Sequence, residues 1–354
     1  MRQGWGRCGH FSLTLAIATV VALTFLGNLA AACLAPCTCL TLGSVVDCGG
    51  LHLLSLPPRL PDGVWLLELS HNNLSHLPVG SFQGLWGLRV LLLSHNILQN
   101  LASGALGGLS FLERLDLSHN QLARLPPDFS ATLGSLLRLD LSHNLLATLD
   151  PCSLWGLGSL EQLDLSHNKL AELAAGLGGL YRLRWLSLAG NQLHRVEGTA
   201  LATMTGLEVL SLAENNISEL EAEAFASLRA LGFLSLVGNQ LQHLEFNAVA
   251  RIQTAGTQLL LAINPWTCDC DLQRAFRKLS HLRHLRVADL GNLTCAGPGQ
   301  LSGAVLSSVE ARLCLAETAT VLGITGTMLI TVAVAVAVAV AERKRRQGPG
   351  GAGE

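Results

Sequence analysis

Charged residues are scarce in this chain, and its middle contains no acidic or basic block. Asp, Glu, Lys and Arg make up 14% of the 354 residues, and the formal net charge at pH 7 is −2. Proteins that bind nucleic acid carry strongly basic patches, and disordered chains contain few apolar residues. Since 49% of these residues are hydrophobic, the composition argues against both classes.

Catalytic motifs are missing as well. The sequence contains no G-x-S-x-G nucleophile turn, no H-E-x-x-H zinc motif and no phosphate-binding loop. We therefore predict a binding protein rather than an enzyme, with no cofactor, no metal site and no small-molecule substrate.

One repeat dominates what the sequence does contain. Leu112–Leu122 reads LERLDLSHNQL, and its pattern L-x-x-L-x-L-x-x-N-x-L recurs at intervals of 23 to 25 residues. The repeated asparagines are Asn72, Asn96, Asn120, Asn144, Asn168, Asn191, Asn215, Asn239 and Asn264. Leu115 and Leu117 alternate with charged residues, which predicts a short strand with one buried face. Stacked repeats are needed to bury such faces in a continuous core.

The pattern covers Leu51 to Trp266 and resembles the leucine-rich repeat family, in its extracellular class. The resemblance implies a right-handed, curved solenoid with a parallel β-sheet on its concave face. The asparagine at the end of each strand carries both donor and acceptor groups, so we expect it to satisfy backbone groups in its own and the adjoining turn.

Two cysteine clusters flank the repeats. They contain Cys33, Cys37, Cys39 and Cys48, and then, from the motif N-P-W-x-C-x-C onward, Cys268, Cys270, Cys295 and Cys314. In an exported chain such clusters are disulfide frameworks, and a zinc site is the alternative for the first. They resemble the terminal caps of extracellular leucine-rich repeat proteins, which implies the pairs Cys33–Cys39, Cys37–Cys48, Cys268–Cys295 and Cys270–Cys314. For Cys152, within the repeats, we expect a buried small hydrophobe; an intermolecular disulfide is the alternative.

The two ends of the chain predict a type I plasma-membrane protein. Arg2 and Arg7 precede an apolar run that ends in small residues, as in a secretory signal peptide; a first membrane span is the alternative. Residues 318–341 carry no charge and would be about 36 Å long as a helix, enough to cross a bilayer. The basic cluster Arg343, Lys344, Arg345 and Arg346 would hold the C-terminus in the cytosol. The expected division is 1–32 signal peptide, 33–62 N-terminal cap, 63–263 repeats, 264–315 C-terminal cap, 318–341 transmembrane helix and 342–354 cytoplasmic tail.

The sheet positions that face away from the core are the candidate binding residues. Their middle section carries Arg114, Asp116, Arg138, Asp140 and Asp164, and their C-terminal section carries Trp185, Val209 and Phe233. Adjacent strands lie about 4.8 Å apart, so the last three residues would form one apolar patch that could anchor a protein partner. Three N-x-S/T sites lie outside these positions and are expected glycosylation sites: Asn73, Asn216 and Asn292.

Two further patterns have open interpretations. Five repeats carry a histidine at the same turn position: His71, His95, His119, His143 and His167. This histidine column could bind metal or sense acid pH, or it could be part of a turn sequence that was copied when the repeats duplicated. Leu272 to Val287 predicts an amphipathic helix whose polar positions are basic: Arg274, Arg277, Lys278, Arg283 and Arg286, with His281 and His284. That basic face is either merely solvated or positioned to meet lipid headgroups or an acidic partner.

Two functions follow from the layout. The chain resembles trophoblast glycoprotein and Nogo receptor relatives, which implies a surface receptor, co-receptor or adhesion protein with an extracellular or membrane protein partner. It also resembles the gamma subunits of the large-conductance potassium channel in its two cysteine caps, single span, basic cluster and short tail. That alternative implies an auxiliary channel subunit that acts through the span and Arg343–Arg346, although this chain has more repeats and an Ala/Val-rich span. A structural spacer is the third option.

Overall fold

The computed structural model describes residues 36–40, 44–61, 63–173, 177–309 and 327–343. The expected signal peptide, Cys33, Cys314, residues 318–326 of the expected span and residues 344–354 lie outside these ranges.

Short strands recur once or twice per repeat. In chain order the strands of the described residues are β1 Thr38–Leu40, β2 Val45–Asp47, β3 Leu66–Glu68, β4 His76–Leu77, β5 Val90–Leu92, β6 Asn100–Leu101, β7 Arg114–Asp116, β8 Arg138–Asp140, β9 Gln162–Asp164, β10 Trp185–Ser187, β11 Arg195–Val196, β12 Val209–Ser211, β13 Glu219–Leu220, β14 Phe233–Ser235, β15 Thr257–Leu260, β16 Trp266–Thr267, β17 Leu285–Val287 and β18 Cys295–Gly297. The helices are α1 Phe246–Ala250, α2 Cys270–Ser280 and α3 at residues 327–343, and the 3-10 turns are Leu290–Asn292, Gly299–Leu301 and Leu306–Ser308.

Twelve of these strands form one sheet in the order β1-β2-β3-β5-β7-β8-β9-β10-β12-β14-β15-β17. All neighbours are parallel except β1 and β2. The smaller pairs β4–β6, β11–β13 and β16–β18 lie outside this sheet. The expected solenoid of stacked parallel strands is therefore confirmed.

The core runs along the inner side of the sheet. The central residue of each repeat strand is a leucine, such as Leu67, Leu115 or Leu210, and it is almost fully buried. Burying one leucine side chain contributes about 2 kcal/mol, so each added repeat strengthens the stack. Phe82 and Phe225 close the opposite side of the core and are also buried.

The repeated asparagines form a hydrogen-bonded ladder. They bond to backbone groups of their own and the adjoining turn, as predicted, and the structure shows that they are buried. The Asn120 side-chain amide donates to the carbonyl oxygens of Leu117 at 3.0 Å, Ser118 at 3.1 Å and Leu93 of the preceding repeat at 2.9 Å. Its Oδ1 accepts from the amide of Leu98 at 3.0 Å. The other eight asparagines make the same set of bonds. One side chain thus joins two turns of the solenoid at every repeat.

Disulfide-bonded segments lie at both ends of the sheet. The β1–β2 hairpin pairs with β3 and covers the first sheet edge, while Cys37 is bonded to Cys48. Beyond the last repeat, Cys268 is bonded to Cys295. Both pairs are those that the cap resemblance implies. Cys39 and Cys270 are disulfide-bonded as well.

The expectation that Cys152 is buried was wrong. Cys152 is a free, exposed cysteine, and its amide donates to Asp150 Oδ1 at 2.8 Å. The next two residues, Ser153 and Leu154, take the inward positions of this turn and are fully buried. The cysteine side chain therefore faces solvent.

The expected helix over Leu272 to Val287 is correct only in its first part. Helix α2 ends at Ser280, and Leu285–Val287 is the last strand of the main sheet. The extended backbone of this segment pairs with β15, and Leu285 is buried there. Pairing with β15 and burial of Leu285 stabilise this segment more than continuation of the helix would.

Helix α3, at residues 327–343, contains the second part of the expected span, and its side chains are exposed. Within the described residues, no helix combines the length and the apolar character that crossing a membrane requires.

Candidate binding surface on the main sheet

The outward side of the main sheet, here called the sheet face, carries two rows of side chains. The first residues of the strands form one row and the third residues form the other, because alternate residues of a strand face the same side. The strand register aligns Arg114 with Arg138, Asp116 with Asp140, and Asp140 with Asp164. It aligns Trp185 with Val209, and Val209 with Phe233. All eight candidate binding residues therefore lie on this one face.

The apolar patch consists of Trp185, Val209 and Phe233 on three adjacent strands. Each of these side chains is half-buried. At a strand spacing of about 4.8 Å, neighbours in one row shield each other, which the sequence pattern alone does not reveal. In the other row the residues beside the patch are serines, of which Ser187 and Ser235 are buried. The patch is thus continuous, with only part of each side chain available to a partner.

The aspartate row has a structural task of its own. Asp116 Oδ1 accepts from the amide of Ser118 at 3.0 Å and from its hydroxyl at 2.7 Å, and Asp140 makes the same two bonds with Ser142, at 2.9 and 2.7 Å. Burial raises the pKa of the Asp140 carboxyl; its bonds from Ser142 lower it, and the charges of Asp116 and Asp164 raise it further. Asp116 and Asp140 thus fix the turns after strands β7 and β8 as well as giving the face its charge.

Arg114 and Arg138 lie on the first row and are exposed. Among the described residues, neither belongs to an ion pair. Their guanidinium groups are therefore available for carboxylates of a partner.

The histidine column forms a stack of near-parallel rings at the rim of the sheet face. Successive ring centroids lie 4.4, 4.1, 4.1 and 4.3 Å apart, with interplanar angles of 8 to 16°. The five histidines all have φ between 52 and 58°, a left-handed conformation in which histidine is enriched among non-glycine residues. The backbone amide of His119 donates to Ser142 O of the next repeat at 3.0 Å, and the other four histidines make equivalent bonds. Repeated backbone geometry thus imposes the ring spacing.

The middle of the stack favours the neutral form of the His119 ring. Partial burial lowers the pKa of His119, and the neighbouring His143 and His95 lower it further, while Asp140 and Asp116 raise it. Parallel rings also direct their nitrogen lone pairs alongside each other rather than toward a common point, which does not suit chelation of one ion. Gly190 occupies the next position of the column at φ 67°, and a Cβ there would lie 2.5 Å from His167 Nδ1. A glycine therefore accommodates the last ring.

Among the described residues, the most exposed aromatic rings lie elsewhere, at positions that the sequence pattern did not single out. Trp86 and Trp155 are 70% and 65% exposed, and Phe111 and Tyr181 are 57% and 58% exposed. Trp86, Phe111 and Tyr181 lie three or four residues before a strand, in turns of the repeat. Large aromatic residues in turn positions are the signal that would have identified them. The glycosylation candidates Asn73, Asn216 and Asn292 are exposed and lie outside both rows.

Comparison with known proteins agrees with this geometry. The leucine rich repeat family model matches residues 64–122, 110–170 and 181–241. The solenoid is a leucine-rich repeat domain. Its fold is similar to the crystal structure of human 5T4 (Wnt-activated inhibitory factor 1, trophoblast glycoprotein), with a TM-score of 0.60 and 29% identity over 79% of this chain and 98% of that chain.

Two other similarities are narrower. The mouse RP105/MD-1 complex gives a TM-score of 0.56 at 24% identity, covering 75% of this chain and 53% of that chain, so the likeness concerns the fold alone. The platelet glycoprotein Ib beta chain of Mus musculus is 44% identical over 69 residues, which is 19% of this chain and 32% of the relative. The chain spans a third or less of the curated relatives it matches.

Proposed function

We propose that the chain is a cell-surface, single-pass leucine-rich repeat glycoprotein that binds a protein partner through its sheet face, as a receptor, co-receptor or adhesion protein. The observation that carries this proposal is the sheet face itself. Its two rows present apolar and charged side chains in register across at least six strands, while the core is built by the leucines between them. A continuous face with a tryptophan anchor suits recognition of another protein.

Three features support a location outside the cell. Cysteines of both flanking segments are disulfide-bonded, which is typical of oxidising compartments. The three glycosylation candidates are exposed. The fold is similar to that of 5T4, which is named as a trophoblast glycoprotein, over nearly the whole of that chain. We place the N-terminus outside, after removal of a signal peptide at residues 1–32, with a span at 318–341 and Arg343–Arg346 in the cytosol.

The apolar patch is the expected centre of the interface, because well-packed aromatic anchors contribute most to protein binding. The double substitution Trp185→Ala with Phe233→Ala removes both rings from the face. The matched control is Trp86→Ala with Phe111→Ala, which removes two rings that are more exposed than those of the patch and lie in turns outside the strands. We expect the first variant to reach the cell surface normally and to lose partner capture at least tenfold, corresponding to about 1.4 kcal/mol or more.

The capture assay uses full-length proteins on intact cells, with surface amount and thermal stability measured in parallel. Capture that is unchanged in the patch variant, or reduced equally in both variants, would remove the patch as the binding centre. Equal surface amounts are required because half-buried side chains also contribute to packing.

An auxiliary channel subunit is the alternative function. Helix α3, with its exposed apolar side chains and terminal Arg343, favours this second candidate, since such a helix could pack against a membrane partner. In that case the activity would belong to residues 318–346 rather than to the repeats. Exchange of this segment for a foreign membrane anchor separates the two functions.

A further inference from the structure

Helix α2 of the C-terminal cap has one apolar face and one basic face. Its buried residues, spaced i, i+3, i+4 and i+7, are Leu272, Ala275, Phe276 and Leu279. Exposed residues with the same spacing lie on the opposite face: Arg274, Arg277, Lys278 and His281, which caps the C-terminal end of the helix. Asp269 fixes the start of the helix by accepting from the amide of Leu272 at 2.8 Å. The rigid cap core thus holds the basic face in one orientation.

Most of these cations have no carboxylate partner in the described residues. Arg274 pairs with Asp271 at 2.8 Å, but Arg277 forms no ion pair. Neither do Arg283 and Arg286, which are exposed in the turn and in strand β17 packed against the helix. We call Arg274, Arg277, Lys278, Arg283 and Arg286 the basic cap surface.

Three exposed arginines of the repeats are paired with carboxylates, unlike Arg114 and Arg138 of the sheet face. Arg89 pairs with Glu113 at 2.9 Å, Arg184 with Glu208 at 3.0 Å and Arg251 with Glu223 at 2.9 Å. Arg277, Arg283 and Arg286 of the basic cap surface differ from these three arginines in pairing and not in exposure, since all six are exposed.

The charge of the chain is unevenly distributed along the solenoid. Residues 63–263 contain ten Lys and Arg against sixteen Asp and Glu, whereas residues 264–309 contain five against three. Two of those three acids serve the backbone: Asp269 caps α2, and Asp289 Oδ2 accepts from the amides of Leu261 and Ala262 at 2.8 and 2.7 Å. The cap therefore presents a local positive potential on an otherwise acidic domain.

We propose that the basic cap surface binds a sulfated glycosaminoglycan chain. A guanidinium group can donate two parallel hydrogen bonds to two oxygens of one anionic group, as it does to phosphates and carboxylates, so several arginines in succession fit a chain of sulfate groups. A helix that lies on a membrane inserts its apolar face between lipids, but the apolar face of α2 is inside the cap core. A polyanion recognised through charge alone fits this surface better than a lipid surface does.

The bound chain would also lie next to the sheet face. Strand register aligns Arg286 with Gln258, and Gln258 with Phe233 of the apolar patch. The glycan site does not depend on the proposed protein-binding function. A glycan bound here would nevertheless lie within two strands of the residues proposed to bind the protein partner.

The test measures retention of the full-length protein on immobilised heparin. The cap variant carries Arg277→Gln, Arg283→Gln and Arg286→Gln. The control variant carries Arg89→Gln, Arg184→Gln and Arg251→Gln, which removes the same amount of charge from ion-paired sites. We expect the native protein and the control to be retained at about 0.15 M salt and the cap variant to be lost in the flow-through. Desulfated heparin should retain none of the three proteins.

Each other outcome overturns the proposal. Failure of the native protein to bind, or equal retention of both variants, would leave the cations as a solvated helix face. The basic cluster Arg343–Arg346 is present in all three proteins, so binding through the tail would persist in the cap variant and would count against the proposal. Vesicles containing phosphatidylserine form the second arm, and binding to them without binding to heparin would assign the surface to lipid headgroups.

Discussion

Substitution of one asparagine of the ladder tests the physical basis of the solenoid. The Asn144 side-chain amide donates to the carbonyls of Leu117 at 3.0 Å, Leu141 at 3.1 Å and Ser142 at 3.1 Å, and its Oδ1 accepts from the amide of Leu122 at 3.0 Å. In the Asn144→Ala protein all four bonds are lost in a buried site.

The four losses are not equal. Each of the three carbonyls keeps a second partner: Leu117 O keeps Asn120, Leu141 O keeps Asn168, and Ser142 O keeps the amide of His119. The Leu122 amide has no other bond among those described, so it becomes a buried, unpaired donor at a cost of about 1–3 kcal/mol. With a few tenths of a kcal/mol for each weakened carbonyl, the expected destabilisation is about 3 kcal/mol.

Hydrogen exchange and urea unfolding of the full-length protein measure this effect. The control is Asn100→Ala, because Asn100 is exposed, and its cost should stay below about 0.5 kcal/mol. Exchange should accelerate most around Leu122, since opening in repeat proteins is local. A loss below about 1 kcal/mol, or one equal to that of the control, would refute the view that the ladder holds neighbouring turns together.

Two further predictions concern the histidine stack. Since the pKa of His119 is lowered by folding, the unfolded state binds more protons in the interval between that pKa and 6.5, and stability should fall as the pH drops through this interval. Urea midpoints at successive pH values should show this fall in stability. The fall should be smaller in His119→Asn, because asparagine also tolerates the left-handed conformation but does not titrate in this interval. Equal pH dependence in both proteins would exclude His119 as the source. Gly190→Ala should destabilise by about 1–2 kcal/mol, because alanine is disfavoured at φ 67° and its Cβ would displace the His167 ring. Gly158→Ala, at an unstrained and open position, is its control, and an equal melting temperature for the two variants would contradict this assignment.

The repeat period made the sheet predictable. Because one asparagine recurs at a nearly constant interval, aligning the repeats also aligns Arg114 with Arg138 and Trp185 with Val209, as the strand register confirms. The hydrogen bonds of the asparagines to two turns were predictable from their donor and acceptor groups. Both features are determined by the residues of a single repeat and by the interval between repeats, and both can be read from the sequence.

Features that depend on neighbouring elements were less predictable. Helical periodicity continued past Ser280, but pairing with β15 made Leu285–Val287 a strand. The half-burial of Trp185 and the ring stack around His119 arise from adjacent repeats, which a single repeat does not encode. The exposure of Cys152 likewise reflects the two following residues taking the inward positions.

Proximity labelling on intact cells tests the proposed function most directly. The full-length protein is compared with residues 1–317 joined to a foreign membrane anchor, at equal surface amounts. Binding through the sheet face predicts that the main partner is retained after the exchange and lost from both forms when Trp185→Ala and Phe233→Ala are introduced. Loss of the partner on anchor exchange alone would contradict recognition by the repeats and would assign it to the segment that contains α3.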